Sequence, residues 1–190
     1  MTDDAPLSVR SREGVERALA GLRERYGEFP VEGRTVERDG DAFEGSTARV
    51  PGDWMGTASA WISDADGRVL FLRRAAAPDR WAPPDALRTA GEALDGTAAR
   101  AVAELTGIDC ALSRVRRAER IRIVDSAAPE RRYYALDVDF EGRYVAGSLT
   151  LAEKGSVLGA RWFDERPDRV AAGARAAADE WFGEADAGGS

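Results

Sequence analysis

Histidine is absent from this sequence of 190 residues, and cysteine and lysine each occur once, at Cys110 and Lys154. The absence of histidine excludes Ser-His and Cys-His nucleophile pairs and zinc sites that contain histidine. A single cysteine excludes an internal disulfide. The lysine is followed by Gly155 rather than by Ser or Thr, which excludes a P-loop. Any catalysis is therefore left to carboxylates, arginines, hydroxyl groups and bound divalent ions.

The sequence also lacks long apolar runs, which argues against a membrane-spanning segment and a secretory signal. No run reaches the length of a membrane span, and the acidic N-terminus has no apolar core of a secretory signal. We therefore expect a cytoplasmic protein without a membrane partner. The formal net charge of -7 at pH 7 argues against a nucleic-acid partner, because non-specific binding to nucleic acid needs a basic face.

The length suits one domain with an extension. Apolar residues at helical spacing predict a helix over 12–26, and the alternating residues of 30–50 indicate one or two short strands. We expect residues 1–50 to form an N-terminal extension, 51–184 the main domain and 185–190 a disordered tail. The sequence leaves open a homodimer that forms through residues 1–50.

From residue 56 onward the secondary-structure signals are clearer. Two strand-like runs around an Asp-Gly turn predict a β-hairpin over 56–74, followed by a loop over 75–86 and a helix over Thr97–Thr106. Later segments predict two long strands, a short strand and a last helix that starts at Pro167. This order favours a mixed sheet covered by helices.

Five residues between positions 86 and 108 have a characteristic spacing. Glu92 is followed by seven residues and Arg100, and then come Glu104, Gly107 and Ile108. This pattern resembles the Nudix box: Gly, five residues, Glu, seven residues, Arg-Glu-aliphatic-any-Glu-Glu-any-Gly-aliphatic. The preceding hairpin, the segment "RWAPPDA" and the later "ARWFDE" are similar to their counterparts in that family.

The resemblance covers roughly Gly56 to Phe182 and implies a fold and an activity. The fold would be a Nudix-type α/β/α sandwich with a mixed β-sheet, here with an N-terminal helical extension. The activity would be hydrolysis of a diphosphate linkage with Mg²⁺ or Mn²⁺. The same resemblance makes Glu92, Arg100 and Glu104 the candidate catalytic residues.

Two of the three helix glutamates that bind the ion in this family are replaced, by Ala101 and Leu105. The three positions would share one helical face, where carboxylates repel each other unless a cation lies between them. The remaining Glu104 would hold Mg²⁺ or Mn²⁺ weakly. Asp85 and Ala86 also replace a pair of glycines that lets the backbone approach phosphate.

Alternatives stay open for each acidic candidate. Glu92 is either a remaining functional carboxylate or half of a structural ion pair with Arg100, and Glu104 is either a metal ligand or an ordinary solvated helix residue. Asp137 and Asp139 share one strand face and could form a relocated metal site with Glu104, although a solvated outer face is the commoner explanation. Glu153 is a further candidate base in a late loop.

Arginines near the predicted cleft are candidate ligands for substrate. Arg73, Arg74 and Arg88 could hold phosphate oxygens through bidentate hydrogen bonds. Trp81 could stack on a ring, although aromatic residues at such spacings usually belong to the core.

Two functions remain for this pattern. The first is a binding or regulatory module that takes a small nucleotide-like ligand and has weak or lost hydrolysis of nucleoside-diphosphate-type substrates. The second is an active Mg²⁺- or Mn²⁺-dependent hydrolase that cleaves a diphosphate linkage. Removal of one charge stabiliser typically costs ~10²–10³ in rate, so the loss of two ligands favours the first.

Overall fold

A computed structural model describes residues 5–151 and 156–187. The described residues form two compact units. The first unit contains residues 5–59, 86–98 and 113–141, and the second contains residues 60–85, 99–112, 142–151 and 156–187. Residues 188–190 of the predicted tail lie outside the described residues, and the predicted division at residue 50 stays a prediction.

Four helices and eight strands follow one another along the described chain. In chain order they are α1 (Leu7–Tyr26), β1 (Val31–Arg38), α2 (Gly40–Thr47), β2 (Met55–Ser63), β3 (Val69–Arg74), β4 (Ala77–Ala82), β5 (Asp85–Leu87), α3 (Leu94–Thr106), β6 (Ile108–Asp125), β7 (Arg132–Gly147), β8 (Val157–Phe163) and α4 (Arg175–Ala187). The hairpin predicted over 56–74 is confirmed as β2 and β3, and the two predicted long strands are β6 and β7.

The sheet of the first unit has the strand order β1-β6-β7-β2. It is a mixed sheet, because β1 runs parallel to β6, with Val31 opposite Ala118 and Arg38 opposite Asp125. One core cluster of this unit gathers apolar side chains from α2 and from the sheet. Its buried members are Phe43, Ile121, Ile123, Tyr133 and Ala135.

One short strand, β1, lies within residues 30–50 as predicted, whereas helix α2 in the same segment was not predicted. Strand β1 accounts for the first half, but Asp39 then starts a helix, because its Oδ1 atom accepts a hydrogen bond of 2.9 Å from the backbone N–H of Ala42. The helix places the ring of Phe43 5.7 Å from the ring of Tyr133. Phe43 is the buried residue of this helix and packs it against the sheet.

Helix α1 is part of the first unit and starts five residues before the predicted helix. Val15 and Leu19 are fully buried, and the hydroxyl oxygen of Ser11 accepts a hydrogen bond of 3.0 Å from the backbone N–H of Tyr134. The apolar face of the helix is thus covered by its own chain. The homodimer through this extension stays a prediction.

In the second unit, strand β3 is the element to which the others attach. It pairs antiparallel with the end of β2, with β4 and with β8. The core of this unit consists of Trp61, Val69, Phe71, Phe163, Val170, Ala177 and Ala178. The loop predicted over 75–86 is wrong for most of its length, because residues 77–82 gain backbone partners on β3 that local sequence does not indicate.

Helix α4 starts at Arg175, eight residues after the predicted start at Pro167. The chain after Pro167 is held extended by β4 instead. The backbone N–H of Trp81 donates to the carbonyl of Arg169 at 2.8 Å, and the N–H of Ala171 donates to the carbonyl of Trp81 at 2.9 Å. These tertiary hydrogen bonds compete with helix formation, so the helix begins only beyond them.

Candidate functional site

The stretch of α3 that carries Glu104 lies in the second unit. Ala101 is 1 % exposed and Val102 is fully buried, whereas the side chain of Glu104 is 63 % exposed. An Arg100 nitrogen lies 3.3 Å from a carboxylate oxygen of Glu104. The predicted common face of positions 101, 104 and 105 is therefore only partly present, because position 101 belongs to the core and Leu105 is half-buried.

This helix does not fit the divalent ion that the box implies. Mg²⁺ and Mn²⁺ favour octahedral coordination by several oxygen atoms. Ala101 and Leu105 offer no oxygen from their side chains, and the carboxylate of Glu104 already faces the guanidinium of Arg100. Within residues 5–151 and 156–187, no group of three or more acidic or cysteine side chains is arranged to hold a metal.

Arg88 lies in the first unit and is 8 % exposed. Its Nε atom donates to the carbonyl of Glu92 at 2.9 Å, and its Nη1 atom donates to the carbonyls of Pro51 at 3.1 Å and Trp54 at 3.0 Å. The guanidinium carbon stands 4.3 Å from the centre of the Trp54 ring. Burial lowers the pKa of Arg88 from its ordinary value. This arginine joins the segments before β2 and before α3.

Glu92 shapes the loop that precedes α3. Its Oε2 atom accepts hydrogen bonds of 3.0 Å from both the backbone N–H and the hydroxyl of Thr89. Gly91, next to it, has a φ of 78°, which a residue with a side chain rarely adopts. The first unit thus brings Glu92 and Arg88 together through backbone and side-chain hydrogen bonds within one short loop.

Asp137 and Asp139 lie on one face of β7 in the first unit, and neither is on a freely solvated face. The carboxylate of Asp139 accepts hydrogen bonds from the Ser59 hydroxyl and, at 2.6 Å, from Nε of Arg117. Burial raises the pKa of Asp137, while a hydrogen bond from Thr57 acts in the opposite direction. Glu153, the third candidate acid, lies outside the described residues.

The raised pKa of Asp137 predicts a pH-dependent stability. Protonation of this group favours the folded state, so its contribution is fully present below the unfolded pKa near 3.8 and is lost as the pH rises through the folded pKa. We expect Asp137→Asn to increase the free energy of unfolding at about pH 7 and to change it little at about pH 3. Urea unfolding at both pH values measures this.

Asp139→Asn is the matched control for that prediction. It removes the charge that faces Arg117 on the same strand face, so we expect it to lower the stability at neutral pH. Equal losses of stability in both asparagine variants would show that the buried charge of Asp137 does not lower the free energy of unfolding at neutral pH.

Arg73, Arg74 and Trp81 lie in the second unit, with the guanidinium carbon of Arg73 4.7 Å from the centre of the Trp81 ring. Arg74 instead donates to a carboxylate oxygen of Asp85 at 2.8 Å and to its carbonyl at 2.6 Å. The sequence prediction missed Arg161, whose guanidinium carbon is 5.8 Å from the Trp81 ring and 4.2 Å from the Phe163 ring. The sequence signal that could have identified Arg161 was its position on the predicted strand "ARWFDE".

The sequence of residues 54–180 matches the family model of the NUDIX domain. The match spans about two thirds of the chain, and the protein therefore belongs to the NUDIX family. The predicted Nudix-type fold, with a mixed sheet and an N-terminal helix, is confirmed. None of the helices in the described part of the chain is both long and apolar enough to cross a membrane.

Solved structures of Nudix proteins share this fold at low sequence identity. A MutT protein from Methanosarcina mazei Go1 is 19 % identical, with 72 % of this chain and 97 % of that chain covered and a TM-score of 0.51. An ADP-ribose pyrophosphatase from Streptococcus suis 89-1591 is 14 % identical, with 72 % and 92 % covered and a TM-score of 0.49. A MutT NUDIX hydrolase from Burkholderia pseudomallei is 21 % identical, with 65 % and 95 % covered and a TM-score of 0.49. No curated protein matches the sequence.

Proposed function

We propose that this protein is a binding or regulatory module on a NUDIX fold, with metal-dependent hydrolysis weak or lost. The proposal depends on one observation, the state of the helix that carries Glu104. Ala101 is buried in the core, Leu105 is apolar, and the carboxylate of Glu104 is paired with Arg100. Such a helix face holds Mg²⁺ or Mn²⁺ weakly, because one exposed carboxylate supplies too few oxygen atoms.

The proposed ligand is a small nucleotide-like molecule that binds beside Trp81. A cavity of about 390 Å³, a volume typical of ligand pockets, is lined by Trp81, Arg161 and Phe163. Its charged lining also includes Arg166 and Arg169 and four acidic residues, Asp79, Asp164, Glu165 and Asp168. Arg73 and Arg161 flank the Trp81 ring, and neither pairs with a carboxylate in the part of the chain that the structure describes. Aromatic rings favour planar ligands, and guanidinium groups favour phosphate.

The other candidate residues have structural roles in this proposal. Arg74 is held by Asp85, and Arg88 braces a loop through three carbonyl groups. Asp139 is paired with Arg117. We also propose that the protein works in the cytoplasm, in line with its acidic composition and single cysteine.

The first test is a calorimetric titration with Mg²⁺ and Mn²⁺, followed by a phosphate-release screen over nucleoside diphosphate derivatives. We expect no turnover above the blank, and the same result for Glu104→Gln. Turnover by the native protein that disappears in Glu104→Gln would contradict the proposal and favour an active hydrolase, with Glu104 at the metal.

A second test addresses ligand binding. Calorimetry with the nucleotides of the screen is expected to show binding that weakens about tenfold or more in Arg161→Gln, which lines the cavity, as the loss of a charged hydrogen bond predicts. Trp81→Ala is expected to weaken it as well. Arg143→Gln, an exposed arginine on β7, is the control and leaves affinity unchanged. Equal affinity in all four proteins would contradict the site at Trp81.

A further inference from the structure

A second cavity, of about 480 Å³, lies in the first unit between α1 and the loop that leads into α3. Gly21 and Leu22 of the helix line it on one side, and Arg88, Gly91 and Leu94 line it on the other. The family match starts at residue 54, so α1 lies outside the matched region. One wall of this cavity therefore lies outside the residues that match the family.

Among the charged side chains that line the cavity, Arg88 is the buried one, at 8 % exposure; the others are Arg17, Arg25, Asp53, Glu92 and Asp95. The Nε and Nη1 atoms of Arg88 donate to three backbone carbonyls. Its Nη2 atom makes no hydrogen bond within residues 5–151 and 156–187. A buried cation with donors left over gains free energy when a ligand supplies acceptors, and charge-assisted hydrogen bonds are the strongest of these.

Asp53, Glu92 and Asp95 also line the cavity, and none of their carboxylates accepts a hydrogen bond from Arg88 in the described structure. The carboxylate of Glu92 accepts hydrogen bonds from Thr89 instead. Asp95 accepts hydrogen bonds from Arg25 at 2.5 Å and from the Tyr26 hydroxyl at 3.2 Å. Asp53 interacts with Arg88 by charge alone, with no hydrogen bond between them in the described structure. A carboxylate or phosphate on a ligand would add hydrogen bonds that none of these residues makes to Arg88.

The walls around this cation favour an apolar ligand body. Leu22, Leu94 and Trp54 provide apolar surface. A Cβ atom built on Gly21 or on Gly91 would meet no atom within 4 Å, so both glycines border open space. The cavity volume is within the range of small-molecule pockets.

We propose that this pocket binds a small organic anion, with its carboxylate or phosphate on Arg88 and its apolar body against Leu22, Leu94 and Trp54. This inference goes beyond the proposed function, because it concerns a different cavity and holds whether or not the chain hydrolyses a substrate. Binding joins α1 to the loop before α3, so the ligand is expected to stabilise that contact.

The test uses NMR titration of the full chain with three probes: 2-naphthoate, 2-naphthyl phosphate and the neutral 2-naphthamide. We expect saturable shifts at the amides of Gly21 and Gly91, with an anion binding about tenfold or more tighter than the amide, as one charged hydrogen bond predicts. The tighter of the two anions identifies whether carboxylate or phosphate is preferred.

A Cβ atom on Gly21 meets no atom within 4 Å, so Gly21→Leu extends a side chain from the cavity wall and places a better helix former in α1. We expect it to fold and to abolish binding. Gly45→Leu in α2, where a Cβ also meets no atom, is the matched control and keeps binding. Undiminished binding by Gly21→Leu, equal affinity for the neutral amide, or no shift with any probe would each overturn the proposal.

Discussion

Replacing Ala101 and Leu105 by glutamate is expected to give α3 an affinity for Mn²⁺ well above that of the native protein. The two changes put carboxylates at the box positions three residues before and directly after Glu104, where like charges repel each other until a cation lies between them. Without metal, the variant is expected to be less stable than the native protein, because Ala101 is 1 % exposed and a carboxylate there is desolvated. Added Mn²⁺ then restores stability by about 2.7 kcal/mol at 100 times the dissociation constant.

Thermal unfolding with and without Mn²⁺ measures this difference, and calorimetry gives the affinity directly. Ala103→Glu, on an exposed position of the same helix, adds a charge away from the core and is the matched control. We expect Mn²⁺ to raise the unfolding temperature of the double variant only. A rise of the same size in the native protein would show that its metal site is intact, and the proposal of weak or lost hydrolysis would then fail.

Trp54→Ala is expected to lower the free energy of unfolding by about 3–5 kcal/mol, as large-to-small core changes do. The Trp54 side chain is buried and lies against two glycines, because a Cβ on Gly14 would come within 2.2 Å of it and a Cβ on Gly56 within 2.7 Å. It also stacks on the guanidinium of Arg88. Removal of the Trp54 ring takes away the packing contact between α1 and the loop before α3. A loss of this size is a large share of a domain's free energy of unfolding.

Chemical denaturation measures the loss, and hydrogen exchange locates it, with faster exchange expected at residues 88–92. Trp162→Ala is the control, because that ring is only half-buried and packs on the exposed Tyr144. Gly14→Ala tests the same contact from the other side, with an expected cost of about 1–3 kcal/mol from overpacking. Losses below about 1 kcal/mol for both Trp54→Ala and Gly14→Ala would show that this contact does not hold the loop.

These predictions concern two different parts of the NUDIX framework. The metal prediction concerns the face of α3, where two apolar residues stand in place of carboxylates. The stability prediction concerns Trp54 and Arg88, which join the N-terminal helix to the loop before α3. If both hold, α3 binds metal weakly in the native chain, and Trp54 and Arg88 join α1 to the loop before α3.

The sequence by itself determined the family, the hairpin, the long strands and the helix with Glu104. These depend on local signals: a two-residue period, a helical period and the fixed spacing from Glu92 to Ile108. Such signals persist in a single sequence because neighbouring residues carry them. The same spacing also revealed that Ala101 and Leu105 provide no metal ligand.

Only the tertiary structure showed which partners the individual charged side chains have. It alone also showed the secondary structure of segments that lack a clear hydrophobic period. The sequence predicts that Arg88 could hold phosphate, but it does not reveal the three carbonyls to which Arg88 donates, the most distant of which is 37 positions away. Strand β4 depends on its pairing with β3, and the late start of α4 on two backbone hydrogen bonds of Trp81, one donated to Arg169 and one accepted from Ala171. The partners of a guanidinium or of a backbone N–H are distant in sequence, and no local pattern encodes them.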